Sequence, residues 1–226
     1  IGGAEVVPYL IPALKSEKHY VQQAAQQALK QIGEARTVPY LIDMLKDERE
    51  HVRKDAENAL KQIGDAQAVP YLIQALQDRA SYVRWTAATA LGRIGTTEAV
   101  PALITLLGDQ DPTVQVVAAE ALGLIGAEGA IVPLLSKLTD SQSKMRRTAA
   151  KALGRIGSNA AVPGLLDLLQ DSSMNVRRTA VEALGRLAHP DAVVPLINAL
   201  RDSAWWIRWN AAYALGKIKD MRATPM

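Results

Sequence analysis

One residue pair returns at a fixed interval of 31 positions: Ile32-Gly33, Ile63-Gly64, Ile94-Gly95, Ile125-Gly126 and Ile156-Gly157, then the weakened Leu187-Ala188 and Ile218-Lys219. A period of this size makes the chain an array of one small supersecondary unit, so its architecture follows from how repeats stack. The register gives seven repeats without insertion, residues 3–33, 34–64, 65–95, 96–126, 127–157, 158–188 and 189–219. Ile1-Gly2 reads as the end of a preceding repeat. Asp220-Met221-Arg222-Ala223-Thr224-Pro225 follows the pattern of Asp65-Ala66-Gln67-Ala68-Val69-Pro70, so residues 220–226 read as the start of a further repeat or a C-terminal tail. The chain is therefore expected to be a piece of a longer protein.

Each repeat carries two helical periods. The first segment, as in Val38-Pro39-Tyr40-Leu41-Ile42-Asp43-Met44-Leu45, spaces apolar residues three and four apart and places Pro in the first turn, where its missing N–H is harmless. That Pro recurs at 8, 39, 70, 101 and 163, and one residue later at 133 and 195. A polar break follows at Asp47, Asp78, Asp109, Asp140, Asp171 and Asp202, where a short acid can cap the next helix or hold the turn. The second segment is clearest in Val83-Arg84-Trp85-Thr86-Ala87-Ala88-Thr89-Ala90-Leu91-Gly92-Arg93-Ile94-Gly95. Val83, Ala87, Ala90, Leu91 and Ile94 share a stripe, and the last Gly can take the left-handed conformation that stops a helix. The register of Ala87 is Ala in all seven repeats, and Leu29, Leu60, Leu91, Leu122, Leu153, Leu184 and Leu215 form a second invariant column. Neither helix buries its apolar face alone, so stacking has to build a continuous core.

The motif Ala-Val-Pro-x-Leu, turn Asp, Val-Arg-x-x-Ala-x-x-Ala-Leu-Gly and Ile-Gly resembles the short HEAT-like repeats named after phycobilisome lyases, over residues 1–225. The resemblance implies an all-α, right-handed α-α superhelix of about seven helix-turn-helix units, with the second helices (B) lining a concave face. It also implies a functional range running from interaction scaffolds to bilin chromophore lyases and a metal-dependent hydroxylase.

Arg53, Arg84, Arg146, Arg177 and Arg208 stand six residues after the turn Asp, with Gln at 22 and 115. A repeating Arg near a repeating Asp is read as a ladder of structural ion pairs within or between repeats. Binding is expected where the pattern varies, on the B-helix positions that point away from the core stripe. There the aromatics Tyr82, Trp85, Trp206, Trp209 and Tyr213 collect, with Trp205 beside the last group. Lys144, Arg147, Lys151 and Arg155 descend one face of the fifth repeat, and Arg93, Arg178 and Arg186 extend the basic character. Val116, Val117 and Leu124 make the middle of the face apolar. The row of cations is otherwise a solvated surface, and the last aromatic stripe otherwise covers the end of the array. Together these residues describe an amphipathic groove for a helix or extended peptide with an acidic end.

Other classes are disfavoured. A net charge of +3 is small for a dedicated nucleic-acid binder. No apolar run reaches the roughly 18–20 residues a membrane span needs. Zero cysteines exclude disulfides, Cys-ligated zinc and thiol catalysis, yet fit cytosolic and secreted proteins alike. With no charged segment leading into an apolar stretch at the start, the chain is read as cytoplasmic. His19, His51 and His189 lack the His-Glu pairs of the hydroxylase, so neither metal nor cofactor is expected. The expected function is a protein-interaction scaffold, whose partner is a protein, a peptide, or another domain of the same parent protein. A bilin lyase or lyase subunit is the alternative, since the groove would also suit a flat, acidic chromophore; catalytic residues are not assigned.

Overall fold

The computed structural model describes residues 6–13, 16–32, 34–62 and 66–218. Ile1-Gly2, Gly33, Ile63-Gly64 and residues 219–226 lie outside them, as do the side chains of Pro8, Gln22 and Leu29. Among the described residues every regular element is helical, and the protein is an all-α array of helix-turn-helix repeats. The chain divides into two compact units, Ile1–Ala121 and Leu122–Met226.

In the first unit the shorter A helices are α1 (Val7–Ala13), α3 (Glu34–Met44), α5 (Val69–Ala75) and α7 (Val100–Thr105). The B helices are α2 (His19–Ile32), α4 (Glu50–Gln62), α6 (Ser81–Ile94) and the start of α8 (Pro112–Ile125). The second unit continues with α9 (Ile131–Ser136), α10 (Ser143–Ile156), α11 (Val162–Asp167), α12 (Met174–Leu187), α13 (Val193–Ala199) and α14 (Trp205–Ile218). B helix packs on B helix: α4 on α6 in the first unit, α10 on α12 and α12 on α14 in the second.

The A helices differ from the sequence expectation. Instead of one continuous helix, repeats four to six carry a short α segment between two 3-10 turns, as in Thr97–Ala99, α7 and Leu106–Gly108. Pro explains the first break: at the opening of α5, α7 and α11 it has no N–H to offer, so the residues before it close i→i+3 bonds instead. Pro39 is the exception, for α3 begins at Glu34 and carries Pro39 in its interior.

The core consists of the two invariant columns. Leu60, Leu91, Leu122, Leu153 and Leu184 are fully buried, and every Ala of the Ala87 register, from Ala25 to Ala211, is buried as well. Small residues also set the helix spacing. A Cβ placed on Gly154 would come within 2.7 Å of the Ala183 Cβ, and one on Gly185 within 2.7 Å of the Ala214 Cβ. No side chain fits there, so the first Gly of Leu-Gly-x-Ile-Gly is a packing position. The terminal Gly is conformational: Gly95, Gly126 and Gly157 hold φ of 79°, 73° and 83°. Ala188, at the same register, is forced to φ 51°.

Two consequences are testable by chemical denaturation. Leu153→Ala, in the middle of the second unit, should cost about 2–5 kcal/mol, and Leu215→Ala less, because Leu215 keeps 7% exposure in the last described helix. Ala188→Gly should stabilise the protein by about 1 kcal/mol, since it relieves a left-handed non-glycine residue that makes no side-chain demand of its own.

Candidate interaction surface

The repeating Arg and Asp are the best-connected polar groups of the chain. In the second unit Arg146 Nη1 donates to the carbonyl of Asp140 in its own repeat at 2.8 Å, while Nε and Nη2 grip the Asp171 carboxylate of the next repeat at 2.6 and 2.9 Å. Arg177 repeats the arrangement, reaching the Asp171 carbonyl at 3.0 Å and the Asp202 carboxylate at 2.9 Å, and Arg208 donates to the Asp202 carbonyl at 2.9 Å. The first unit has the same link from the Asp78 carbonyl through Arg84 to Asp109, both bonds to the carboxylate being 2.7 Å. Each Asp also accepts the backbone N–H two residues on, as Asp171 does from Ser173 at 2.7 Å, so it holds the turn and does not cap the B helix. Gln115 keeps only the bond to its own turn carbonyl. In the second repeat Arg53 bonds the Asp47 and Glu48 carbonyls, and Lys46 takes the Asp78 carboxylate at 2.6 Å. The ion-pair reading of these residues is borne out, and they are unavailable as a binding surface.

The ladder also fixes charge states. The Arg84 guanidinium holds the Asp109 carboxyl below its ordinary value against the cost of burial, and Arg146 does the same for Asp171. At Asp202 burial is the largest influence and opposes ionisation, but Arg177 and the Ala204 N–H outweigh it together, so its pKa is lowered too.

Next to this framework stand the positions singled out for binding. In the first unit Tyr82 and Trp85 stack in parallel, centroids 6.1 Å apart and planes 10° apart. The Tyr82 hydroxyl donates to Glu57 Oε2 across from α6 to α4. Burial first, and then Glu57, push the Tyr82 pKa well up, so the phenol keeps its proton. These residues line a shallow cavity of about 270 Å³ together with Ser81 and Thr113. Val116 is half-buried and Arg93 exposed.

In the second unit Lys144 and Lys151 are exposed and Arg147 and Arg155 half-buried along α10. Leu124, at the end of α8, is 48% exposed. Arg178 on α12 lays its guanidinium 5.0 Å from the Trp206 ring centroid on α14, with Nε 3.5 Å from Glu182 Oε1. Trp209 and Tyr213 form a second parallel stack, centroids 5.8 Å apart, and remain 60% and 56% exposed. Lys217 Nζ lies 4.9 Å from the Tyr213 centroid. Arg93, Arg155, Arg186 and Lys217 sit in the last turns of their helices, where the helix dipole favours a positive charge, so their presence has a local cause. Lys144, Arg147 and Lys151 have none of that kind.

One expected surface residue is misplaced. Val117 is 8% exposed and belongs to the core, not to an apolar groove floor. Its register is buried in Thr86, Thr148 and Thr179 as well, each of which satisfies its hydroxyl by bonding the carbonyl four residues back. The recurring β-branched residue three after the Val carried that signal. Trp206 differs in degree, being half-buried and occupied by Arg178. The Tyr82–Glu57 bond was not foreseen; it joins residues 25 apart, the same offset that the Arg–Asp links use.

Among the described residues no helix is long and apolar enough to cross a membrane, and no group of three or more His, Asp or Glu is placed to hold a metal ion. The family model described as HEAT repeats matches residues 1–61, 50–115, 100–174 and 162–226. The chain belongs to the HEAT repeat family. No curated protein matches it. Among solved structures it is similar to an engineered protein at 26% identity, covering 95% of this chain and 68% of that one with a TM-score of 0.61. It is also similar to the complex of CpcE and CpcF of phycocyanin lyase from Nostoc sp. PCC7120, at 28% identity, with 96% and 90% coverage and a TM-score of 0.52. A computationally designed armadillo repeat protein for modular peptide recognition, 20% identical over 94% of this chain and 100% of that one with a TM-score of 0.56, shares the helical repeat fold.

The ladder makes stability depend on acid. Because Asp109, Asp171 and Asp202 have pKa values lowered by folding, their contribution is complete above the unfolded value near 4 and is lost as pH falls through the folded values. Urea midpoints should therefore be flat from neutrality to about pH 5 and fall below about pH 4. Asp171→Asn should cost about 1–3 kcal/mol at pH 7 and much less at pH 3, where the wild-type carboxylate is itself protonated.

Proposed function

We propose that this HEAT-repeat chain is a protein-interaction module that binds an acidic segment of a protein partner on the B-helix face of the second unit. The observation that carries this reading is the row Lys144, Arg147, Lys151 and Arg155 beside the exposed Trp209–Tyr213 stack. Cations three and four apart on one helix repel, each pair costing a few tenths of a kcal/mol, so α10 is less stable with this row than with a mixed one. The fold needs none of it, since the structural Arg146 points into the ladder instead. A carboxylate-bearing segment would relieve the repulsion, and the open aromatic stack would supply the apolar anchor that a charged row lacks. The partner is a separate protein or another part of the same parent protein.

A second reading, a bilin lyase or lyase subunit, draws support from the likeness to the CpcE and CpcF complex. The basic face would suit an acidic chromophore, but the aromatic cavity at Tyr82 and Trp85 is lined by Glu57, which would repel one. We therefore favour the protein partner.

A Glu-rich peptide carrying one aromatic residue serves as probe. Arg147→Glu with Lys151→Glu should slow its association and flatten the dependence on ionic strength, with the melting temperature little changed. Trp209→Ala should weaken binding by about 2 kcal/mol, roughly thirtyfold, with helicity intact. An unchanged on-rate in the first variant would return the row to ordinary solvated surface. A saturable absorbance shift on adding a free bilin, with no peptide binding, would favour the second reading.

A further inference from the structure

We propose that the cavity lined by Glu57, Ser81, Tyr82, Trp85 and Thr113 in the first unit is a receptor for an arginine side chain of a protein partner. The chemistry of the lining carries this. A space of about 270 Å³ is bounded by one carboxylate, three hydroxyls and two parallel aromatic rings, and none of its lining side chains is cationic. The Tyr82 hydroxyl donates to Glu57 and fixes the carboxylate toward the rings. A carboxylate accepts up to about four hydrogen bonds, so it can take a guanidinium and keep Tyr82. Ring faces and an anion are the two elements that select an organic cation.

Arginine fits this lining better than lysine. Its planar fork stacks on a ring and meets a carboxylate edge-on with two N–H groups, leaving donors over for the Ser81 and Thr113 hydroxyls. The molecule already seats a guanidinium in this way. Trp206 occupies the register of Tyr82 four repeats on, and there Arg178 lies 5.0 Å from the ring centroid with Glu182 3.5 Å from its Nε. The residue at the register of Arg178 in the second repeat is Lys54, which is ion-paired to Glu50 at 2.7 Å and is not among the cavity-lining residues. The first unit thus carries the seat while its own nearest counterpart cation is engaged elsewhere.

The test uses the whole chain and three short peptides, acetyl-Gly-Arg-Gly-amide and its versions with lysine or citrulline in place of arginine, with the Trp85 indole N–H resonance as readout. The arginine peptide should shift Trp85 saturably, the lysine peptide should bind at least about threefold more weakly, and uncharged citrulline should do nothing. Glu57→Gln should weaken the arginine peptide at least about tenfold. Thr113→Arg, at an exposed position, should fill the seat from within and abolish the shift even if Glu57→Gln fails to fold. An equal response to citrulline, unchanged affinity in a folded Glu57→Gln, or no saturable Trp85 shift would overturn the proposal. Because the basic row is not part of this cavity, Arg147→Glu with Lys151→Glu should leave the arginine response intact, which separates this site from the acidic-segment reading.

Discussion

In the second unit one B helix approaches the next so closely at Gly154 and Ala183, and again at Gly185 and Ala214, that a single methyl group would have to displace backbone. That approach sets the distance between repeats, and the rest follows from it. The Leu column closes over the contact and is excluded from water, and the turns at the A–B junction are brought near enough for an Arg side chain to span from one to the next. The Arg–Asp links are thus a consequence of helix spacing before they are a cause of stability. Their bidentate geometry then fixes the rotation of one turn against its neighbour, which small residues alone leave loose.

The division of labour along a B helix is sharp because the period is short. The Val-Arg pair sends Val into the core and Arg into the ladder, Ala and Leu fill the interface, and Gly ends the helix. What remains for a partner is the residue before the Val and those two, six and ten positions after it. At those positions the chain spends its four tryptophans and much of its excess positive charge: Trp85, Trp206 and Trp209 stand there and Trp205 next to them. Residues that the fold ignores are free to be chosen by something else, which is the physical content of looking for function there.

The fold was legible because every structural position is sampled seven times over, so a chance residue in one repeat cannot mislead. Leu and Ala columns, the stopping Gly and the turn Asp were all readable in that way. What escaped were features that depend on packing depth. Val117 looked like surface because one apolar residue on a variable face reads as a patch, whereas its register partners Thr86, Thr148 and Thr179 hide their hydroxyls by bonding backward along their own helices. The interruption of the A helices was invisible for a different reason: Pro in a first turn is compatible with either an α or a 3-10 entry, and only the hydrogen bonds decide. The candidate surface was legible as a list of residues but not as pairings. Nothing in spacing alone says that Arg178 lies on Trp206 or that Tyr82 reaches back to Glu57.

Those two pairings bear on how such an array acquires specificity. An aromatic residue at the register of Tyr82 and Trp206 faces the preceding B helix, and what that helix offers decides what the ring can bind. In α12 it offers Arg178, which covers Trp206 and spends the ring internally, leaving the exposed Trp209–Tyr213 stack for a partner beside a basic row. In α4 it offers Glu57, which orients Tyr82 by a hydrogen bond and leaves an acidic, aromatic cavity. The same backbone therefore presents a face for anions in one unit and a seat for a cation in the other, through changes at two register positions that carry no part of the core. Divergence of this kind costs the fold little, because the ladder and the Gly–Ala contacts are made by other residues.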